Sequence, residues 1–397
     1  MKKNENGSHL LIVSVFIVVL VVIGFAATQV ISKAKDKNGM ANAGLGSWKR
    51  DCTGTGKVAL THSPMDLDDV TSIMPYGLLA GAHVTPIDHI YFYPKSQQRD
   101  AAPVYAMADG YIVDYSERTV NVDSGTSKQG EYRLVIQHSC SFFTYVDLLT
   151  SMDPELKAQA QKGDPHIAVK AGQEIGRVGG QSLDTGVYNL DVTLPGLKES
   201  SYVSEPWKVH TDDFFGNFKD PIKSGMLALN PRTVEPLSGK IDYAQAGKLI
   251  GNWFEVGTNG YAGKAEFKDR PGQDGKGYWS THFSVSYDAL DPSKFAFGFG
   301  DFNGKAEAFM AAVGSPDPAT ISVASGKVKY ELHEYKIYGG NSVDDIKRNL
   351  ALPQNPQVKG VLLVQVLDGE KLKMEAFPNK MLDQVTDFTS AAKTYER

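Results

Sequence analysis

From Leu10 to Ile31 the chain runs LLIVSVFIVVLVVIGFAATQVI without a charged residue. Wound as a helix, a run of this length matches a bilayer core of roughly 30 Å, so whatever follows folds with one end held at a membrane. A cleaved secretory signal is the competing reading, with Ala26-Ala27 as small residues near the end of the run. Its apolar region would exceed the usual ~7–15 residues. We read residues 1–9 as a cytoplasmic tail and 10–31 as an uncleaved transmembrane signal anchor. Charge gives little help with orientation, since Lys2 and Lys3 precede the run while Lys33, Lys35 and Lys37 follow it. Long domains cross largely regardless of flanking charge. The expectation is a single-pass plasma-membrane protein with the bulk of its chain extracytoplasmic.

Residues 32–50, rich in Lys, Asp, Asn, Gly and Ala, read as a solvated linker. Beyond it the chain is long enough for two domains of ordinary size. Its net charge of −5 and lack of a basic block outside the anchor flanks exclude nucleic acid as a partner. The 39 glycines, with many aromatic and β-branched residues, favour β folds with tight turns. The two cysteines, Cys52 after the linker and Cys140 in a strand-like run, are expected to form a disulfide outside the cytoplasm, against two buried thiols. Asp66, Asp68 and Asp69 lack calcium-loop spacing and read as a capped turn.

Residues 51–200 alternate short strand-like runs with turn signals. The runs are 104–108, 111–115, 132–138, 142–148, 167–169, 175–178 and 187–194, with one helix at 154–161. Many short strands at this spacing argue for a sandwich or barrel. Within this domain, His83 to Tyr93 gathers two of the nine histidines and an aspartate into a run that also reads as a strand. Side chains at alternate strand positions share a face, so His83, Ile87, His89 and Tyr93 are expected on one side and Asp88 on the other, unless Pro86 carries a bulge.

The order of these runs resembles the M23 family of zinc endopeptidases (LytM- and lysostaphin-like) over about residues 83–194. Ala106 to Val113 resembles the family's Ala-x-Ala-x-Gly-x-Val strand pair. Residues 134–138 followed by Thr144-Tyr145-Val146-Asp147-Leu148 resemble its hydrophobic run ending in His, then Tyr-x-His-Leu. Residues 169–179 match its Val-x-x-Gly-x-x-Ile-Gly-x-Val-Gly turn, and Thr185-Gly186 stands where the family has Thr-Gly-x-His-Leu-His-Phe. The resemblance implies a β-sandwich of the barrel-sandwich-hybrid kind.

The family's chemistry is matched less well. Its zinc is held by His-x-x-x-Asp and the second His of His-x-His, with two further His in catalysis. Here His89 has Tyr93 at i+4, and His83 and Asp88 stand five apart. The His-x-His position reads Asn189-Leu190-Asp191, and the Tyr-x-His position ends in Asp147. The resemblance therefore implies a degenerate site kept for binding, in a groove around His89, Asp147, Asn189 and Asp191, with His138 beside it. The alternative is an altered zinc site of His89 and Asp191 aided by Tyr93, oxygen-rich in character. His83 and His89 also read as buried, hydrogen-bonded strand residues. There is no Gly-x-Ser-x-Gly elbow, Walker loop or dinucleotide fingerprint. Residues 201–235 read as a solvated interdomain connection, His210, Asp212 and Asp213 included.

Residues 236–397 read as a helix at 242–250 and strands at 251–256, 278–287, 296–300, 306–312, 322–324, 327–338, 360–367 and 371–377, then a closing helix at 381–395. Asp368-Gly369 marks a two-residue hairpin. Such a meander closes into an antiparallel barrel. Gly251-Asn252-Trp253 resembles the Gly-x-Trp of lipocalins, which would imply a small apolar ligand or a lid-like contact with the first domain. The fold class is thus mainly β: an N-terminal transmembrane helix, an M23-like β-sandwich and a C-terminal antiparallel barrel. The expected function is binding of a cell-envelope polymer or peptide without a cofactor. The alternatives are an active zinc metalloendopeptidase and an envelope scaffold.

Overall fold

The computed structural model describes residues 45–49, 51–122, 127–163, 165–267, 276–335, 342–351 and 356–397. The apolar run at 10–31 lies outside these, and among the described residues no helix is long and apolar enough to cross a membrane. The chain is mainly β, with a seven-stranded sheet, a three-stranded sheet and a closed eight-stranded antiparallel barrel.

After the short helix α1 (Leu45–Trp48), the first domain contributes β1 (Val70–Met74), β2 (Ile90–Pro94), β3 (Ala102–Tyr105), β4 (Gly110–Val122) and β5 (Ser127–Gln137). It continues with β6 (Phe142–Leu149), β7 (Ser151–Met152), α2 (Pro154–Ala160), β8 (Ile167–Val169), β9 (Glu174–Val178) and β10 (Leu183–Asn189). The large sheet is ordered β1-β2-β10-β6-β5-β4-β8 and the small one β3-β9-β7. Alternation sorts the side chains. Leu134, Ile136, Phe142 and Val146 enter the main core with Val104 and Ile175 of the small sheet. Val135, Phe143 and Tyr145 form a separate cluster with Trp48 and Tyr188 on the other face. Helix α2 starts where its residues dictate: Pro154 opens it, and the Asp153 carboxylate accepts the Glu155 and Leu156 amides.

The strand expected over 83–93 is only its second half. Pro86 has no N–H to give a ladder, and residues 77–88 instead fold back on themselves. Ile87 N donates to Leu78 O, Gly77 N to Ile87 O, and Ala80 and His83 exchange backbone bonds. Face parity therefore does not extend back to His83 or Asp88. The connection at 201–235 also differs from expectation. Rather than a solvated linker, it buries Val209, Phe214, Phe215, Phe218 and Met226 in the first-domain core and includes α3 (Ile222–Ala228).

The barrel strands are β11 (Gly251–Glu255), β12 (His282–Tyr287), β13 (Phe295–Phe302), β14 (Lys305–Ala311), β15 (Lys327–Glu334), β16 (Val358–Leu367), β17 (Lys371–Pro378) and β18 (Lys393–Glu396), with α4 (Val343–Ala351) between β15 and β16. Strand β18 pairs with both β17 and β11 and so closes the ring. Asn303-Gly304 turns β13 into β14 with both residues at positive φ, the tight hairpin turn that matches strand twist. Trp253, Phe283, Phe297, Phe299, Phe309 and Tyr330 help fill the interior, as an eight-stranded barrel permits.

Several expectations fail in this half. The strand expected over 278–287 begins only at His282, after a 3-10 turn at Tyr278–Thr281. The two-residue hairpin expected at Asp368-Gly369 is a three-residue turn, with Leu367 paired to Lys371. Residues 242–250 are not helical: Arg397 takes up the carbonyls of Gln245, Lys248 and Ile250 that a helix would have used internally. Residues 381–395 form a 3-10 turn at Leu382–Gln384 and then β18, because closure needs an eighth strand with Tyr395 turned inward. The strand at 322–324 is a 3-10 turn, Val323–Ser325.

The two halves share a core. Phe254 and Tyr261 of the barrel half belong to the first-domain cluster. The Ser284 hydroxyl donates to the Val84 carbonyl. A Cβ on Gly298 would fall 1.9 Å from that carbonyl oxygen, so glycine is required for the approach.

Candidate functional site

His89 immediately precedes β2, and its ring is held from three sides. Nε2 lies 3.0 Å from the Tyr91 hydroxyl and 3.3 Å from Asp184 Oδ2, while Nδ1 lies 3.5 Å from Asp88 Oδ1. Asp184 arrives because β10 pairs antiparallel with β2, opposite Tyr91. Its carboxyl is buried, and burial pushes it up to about 7, with His89 opposing the rise and Asp147 adding to it. The His83 ring meets His89 edge-on at 5.6 Å. Burial, with His89 and Lys208 nearby, lowers His83 to about 3, so it is neutral.

Asp88 pairs with Lys208 at 2.6 Å, both buried, and Glu205 completes the lysine's surroundings at 3.2 Å. Burial alone would raise the Asp88 carboxyl, but Lys208 and the His89 contact hold it well below the usual carboxylate range. The lysine ammonium also stands 4.8 Å over the Tyr261 ring, so the barrel half covers this pair.

Asp147, opposite Asp184 on β6, is gripped by both terminal nitrogens of Arg118, which also bonds Glu131. Next along the face, the Arg133 guanidinium lies 5.2 Å from the Tyr145 ring centroid and 5.4 Å from that of Trp207. Tyr145 and Tyr188 stack at 4.9 Å. A Cβ on Gly186 would come within 2.7 Å of the Tyr145 ring, so that glycine makes room for the stack.

The sequence-derived candidates are not all brought together. Tyr93 neighbours Tyr91 at 6.2 Å rather than reaching His89. Asn189 donates to Asp212 at 3.2 Å. Asp191 lies past the end of β10 and accepts from the Ser141 hydroxyl at 2.7 Å. His138 donates from Nδ1 to the Asp109 carbonyl at 2.8 Å and accepts from Thr144 at Nε2, also at 2.8 Å. His210 Nδ1 donates to the Val192 carbonyl at 2.6 Å. Cys52 and Cys140 are joined in a disulfide that ties the chain after α1 to the β5–β6 turn. The residues suggested for zinc do not fit it: Asp191 is engaged away from His89, whose ring nitrogens face Asp88, Tyr91 and Asp184. Among the described residues no cluster of three or more His, Cys, Asp or Glu is placed to hold a metal ion.

Sequence reasoning missed Tyr91, Asp184, Arg118, Arg133 and Lys208. Tyr91 was within reach, as it stands two residues from His89. Asp184 lay just before the run assigned to the last strand, which begins earlier than its hydrophobic residues suggest. Lys208 left no signal, since a buried lysine in an irregular segment looks like a surface one.

No family model matches the sequence, and no curated protein matches it. Among solved structures, a zinc-containing peptidase from Vibrio cholerae is similar at 22% identity over 34% of this chain and 38% of its own, with a TM-score of 0.24. Lysostaphin, solved by NMR, is similar at 12% identity over 63% of this chain and 90% of its own, also at 0.24. The chain spans well under half of the Vibrio peptidase. These likenesses are weak and partial, and no residue role is taken from them.

Proposed function

We propose that the chain is a membrane-anchored extracytoplasmic protein whose peptidase-like first domain binds a cell-envelope polymer or peptide and does not cut it. One observation carries this reading. The acids and imidazole at the candidate site are committed to one another: His89 to Asp184, Tyr91 and Asp88, Asp88 to Lys208, and Asp147 to Arg118. Hydrolysis of an amide needs an activated water and a polarised carbonyl, and a self-neutralised network supplies neither. The M23-like motif order in the sequence supports envelope material as the ligand class. The lipocalin-like barrel acts in this reading as a fixed cover over Asp88 and Lys208 rather than as a ligand carrier.

The test is metal content together with peptide cleavage, measured on the full chain in detergent and purified without chelator. Sub-stoichiometric zinc, no cleavage of envelope peptides and co-sedimentation with isolated envelope are the expected results. One zinc per chain, lost in His89→Ala, would restore the metallopeptidase alternative. A folded, metal-free chain that does not sediment with envelope would leave the scaffold role.

A further inference from the structure

Ten buried side-chain polar atoms among the described residues meet no hydrogen-bond partner, and four belong to three side chains on the adjacent strands β5 and β6. They are Arg133 Nε, both amide atoms of Gln137 and the Tyr145 hydroxyl. Folded chains rarely leave such groups unmet, and each calls for a physical reason. Alternation puts all three on the face that carries Val135, Phe143 and the candidate site, with Tyr145 opposite Val135 and Phe143 opposite Gln137. Trp48 of α1 packs in the cluster beside this row, 5.8 Å from Phe143, 6.0 Å from Tyr188 and 5.3 Å from Trp207.

Arg133 forms no ion pair among the described residues, and its acidic neighbours are engaged elsewhere. Asp147 is held by Arg118, and Glu205 by Lys208 at 3.2 Å. A guanidinium between two aromatic faces, mostly buried and without a carboxylate, has the shape and charge to receive one in two parallel hydrogen bonds. A glutamine side chain offers the same donor and acceptor pair as a peptide group. Four residues of strand, roughly 13 Å, separate the two positions, matching about four residues of an extended ligand.

We propose that this row is a subsite for an extended peptide ending in a free carboxylate, with the carboxylate on Arg133, a peptide group on Gln137, a further hydrogen bond at Tyr145 and Trp48 displaced to admit it. The proposal rests on the reading that the first domain binds rather than cuts, and it adds the ligand's chemical class and end.

The probe is the pentapeptide acetyl-Ala-Gly-Ala-Gly-Ala as free acid and as C-terminal amide, titrated by tryptophan fluorescence into the full chain in detergent micelles. The free acid is expected to bind about tenfold tighter than the amide, as a charge-assisted pair implies. Arg133→Gln abolishes that preference and Arg133→Lys restores part of it. Gln137→Met weakens both peptides without lowering the thermal midpoint, since its amide has no partner to lose. Trp48→Ala strengthens binding of the free acid. Equal binding of acid and amide by the wild type, no binding of either, or a preference that survives Arg133→Gln overturns the subsite. Envelope co-sedimentation run alongside separates the two levels. Sedimentation unaffected by Arg133→Gln removes the subsite and leaves the binding reading, whereas cleaved peptide or no sedimentation at all removes the binding reading itself.

Discussion

Lys208 shows most directly how single residues settle this site. Its ammonium and the Asp88 carboxylate are both buried, so each is tolerable only because of the other. Lys208→Met is expected to destabilise the fold by about 3–5 kcal/mol, because it leaves Asp88 buried and uncompensated. Adding Asp88→Asn should recover most of that loss, and urea denaturation of the single and double variants checks it. If the single variant loses nothing, the pair is more hydrated than the geometry implies. Gly186→Ala should also destabilise, by about 1–3 kcal/mol as an overpacked site, since the new methyl meets the Tyr145 ring. Its near-ultraviolet circular dichroism should change through the Tyr145–Tyr188 stack. Asp88, Tyr145 and Gly186 were visible beforehand, but not their partners: Lys208 lies far along the chain, and the ring that requires the glycine comes from another strand.

At the scale of elements, the barrel is completed by a short final strand and the residue after it. Arg397 lies with its guanidinium 4.2 Å from the Trp253 ring and donates to Glu370 and to three backbone carbonyls before β11. Arg397→Ala is expected to remove about 2 kcal/mol, through lost charged hydrogen bonds and the cation–ring contact. Amide exchange should rise first in β18 and β11, and unchanged protection there would refute the latching role. The disulfide acts on another element, since it closes a loop of 88 residues between the end of the linker and the β5–β6 turn. Its reduction should lower stability by about 4.6 kcal/mol on loop-entropy grounds, read as a lower urea midpoint in reductant.

For the molecule as a whole, pH is the informative variable. Burial holds His83 and His282 at about 3 and His138 at about 4 against an ordinary 6.5, so the fold keeps all three neutral while the unfolded chain binds protons. Their stabilisation is complete above about pH 6.5 and is lost as pH falls towards 3. Asp184 acts the other way. Raised by burial to about 7 from 3.8, it stabilises fully below about pH 4 and loses that contribution as pH rises through 7. Three histidines outweigh Asp184 between these limits, so unfolding near pH 5 takes up protons on balance and stability falls with acid. A denaturation midpoint lower at pH 5 than at pH 6.5, with a shallower fall in His282→Gln, is the expected profile. A flat profile would mean these groups are solvated.

The sequence alone determined that this chain is strand-rich and ends in an antiparallel barrel. Strand character and turn chemistry are written locally, as in the helix opening at Asp153-Pro154 or the turn between β16 and β17, whose place Asp368-Gly369 marks although it takes in Glu370 as well. Helices misread at 242–250 and 381–395 mark where that local code was overridden by barrel closure. Only the tertiary structure decided which charges meet. Asp88 and Lys208 are 120 positions apart, and Asp184 reaches His89 through the register of β10 on β2. Pairings of that kind depend on topology and register, which come from the sum of all packing and cannot be read from any one stretch.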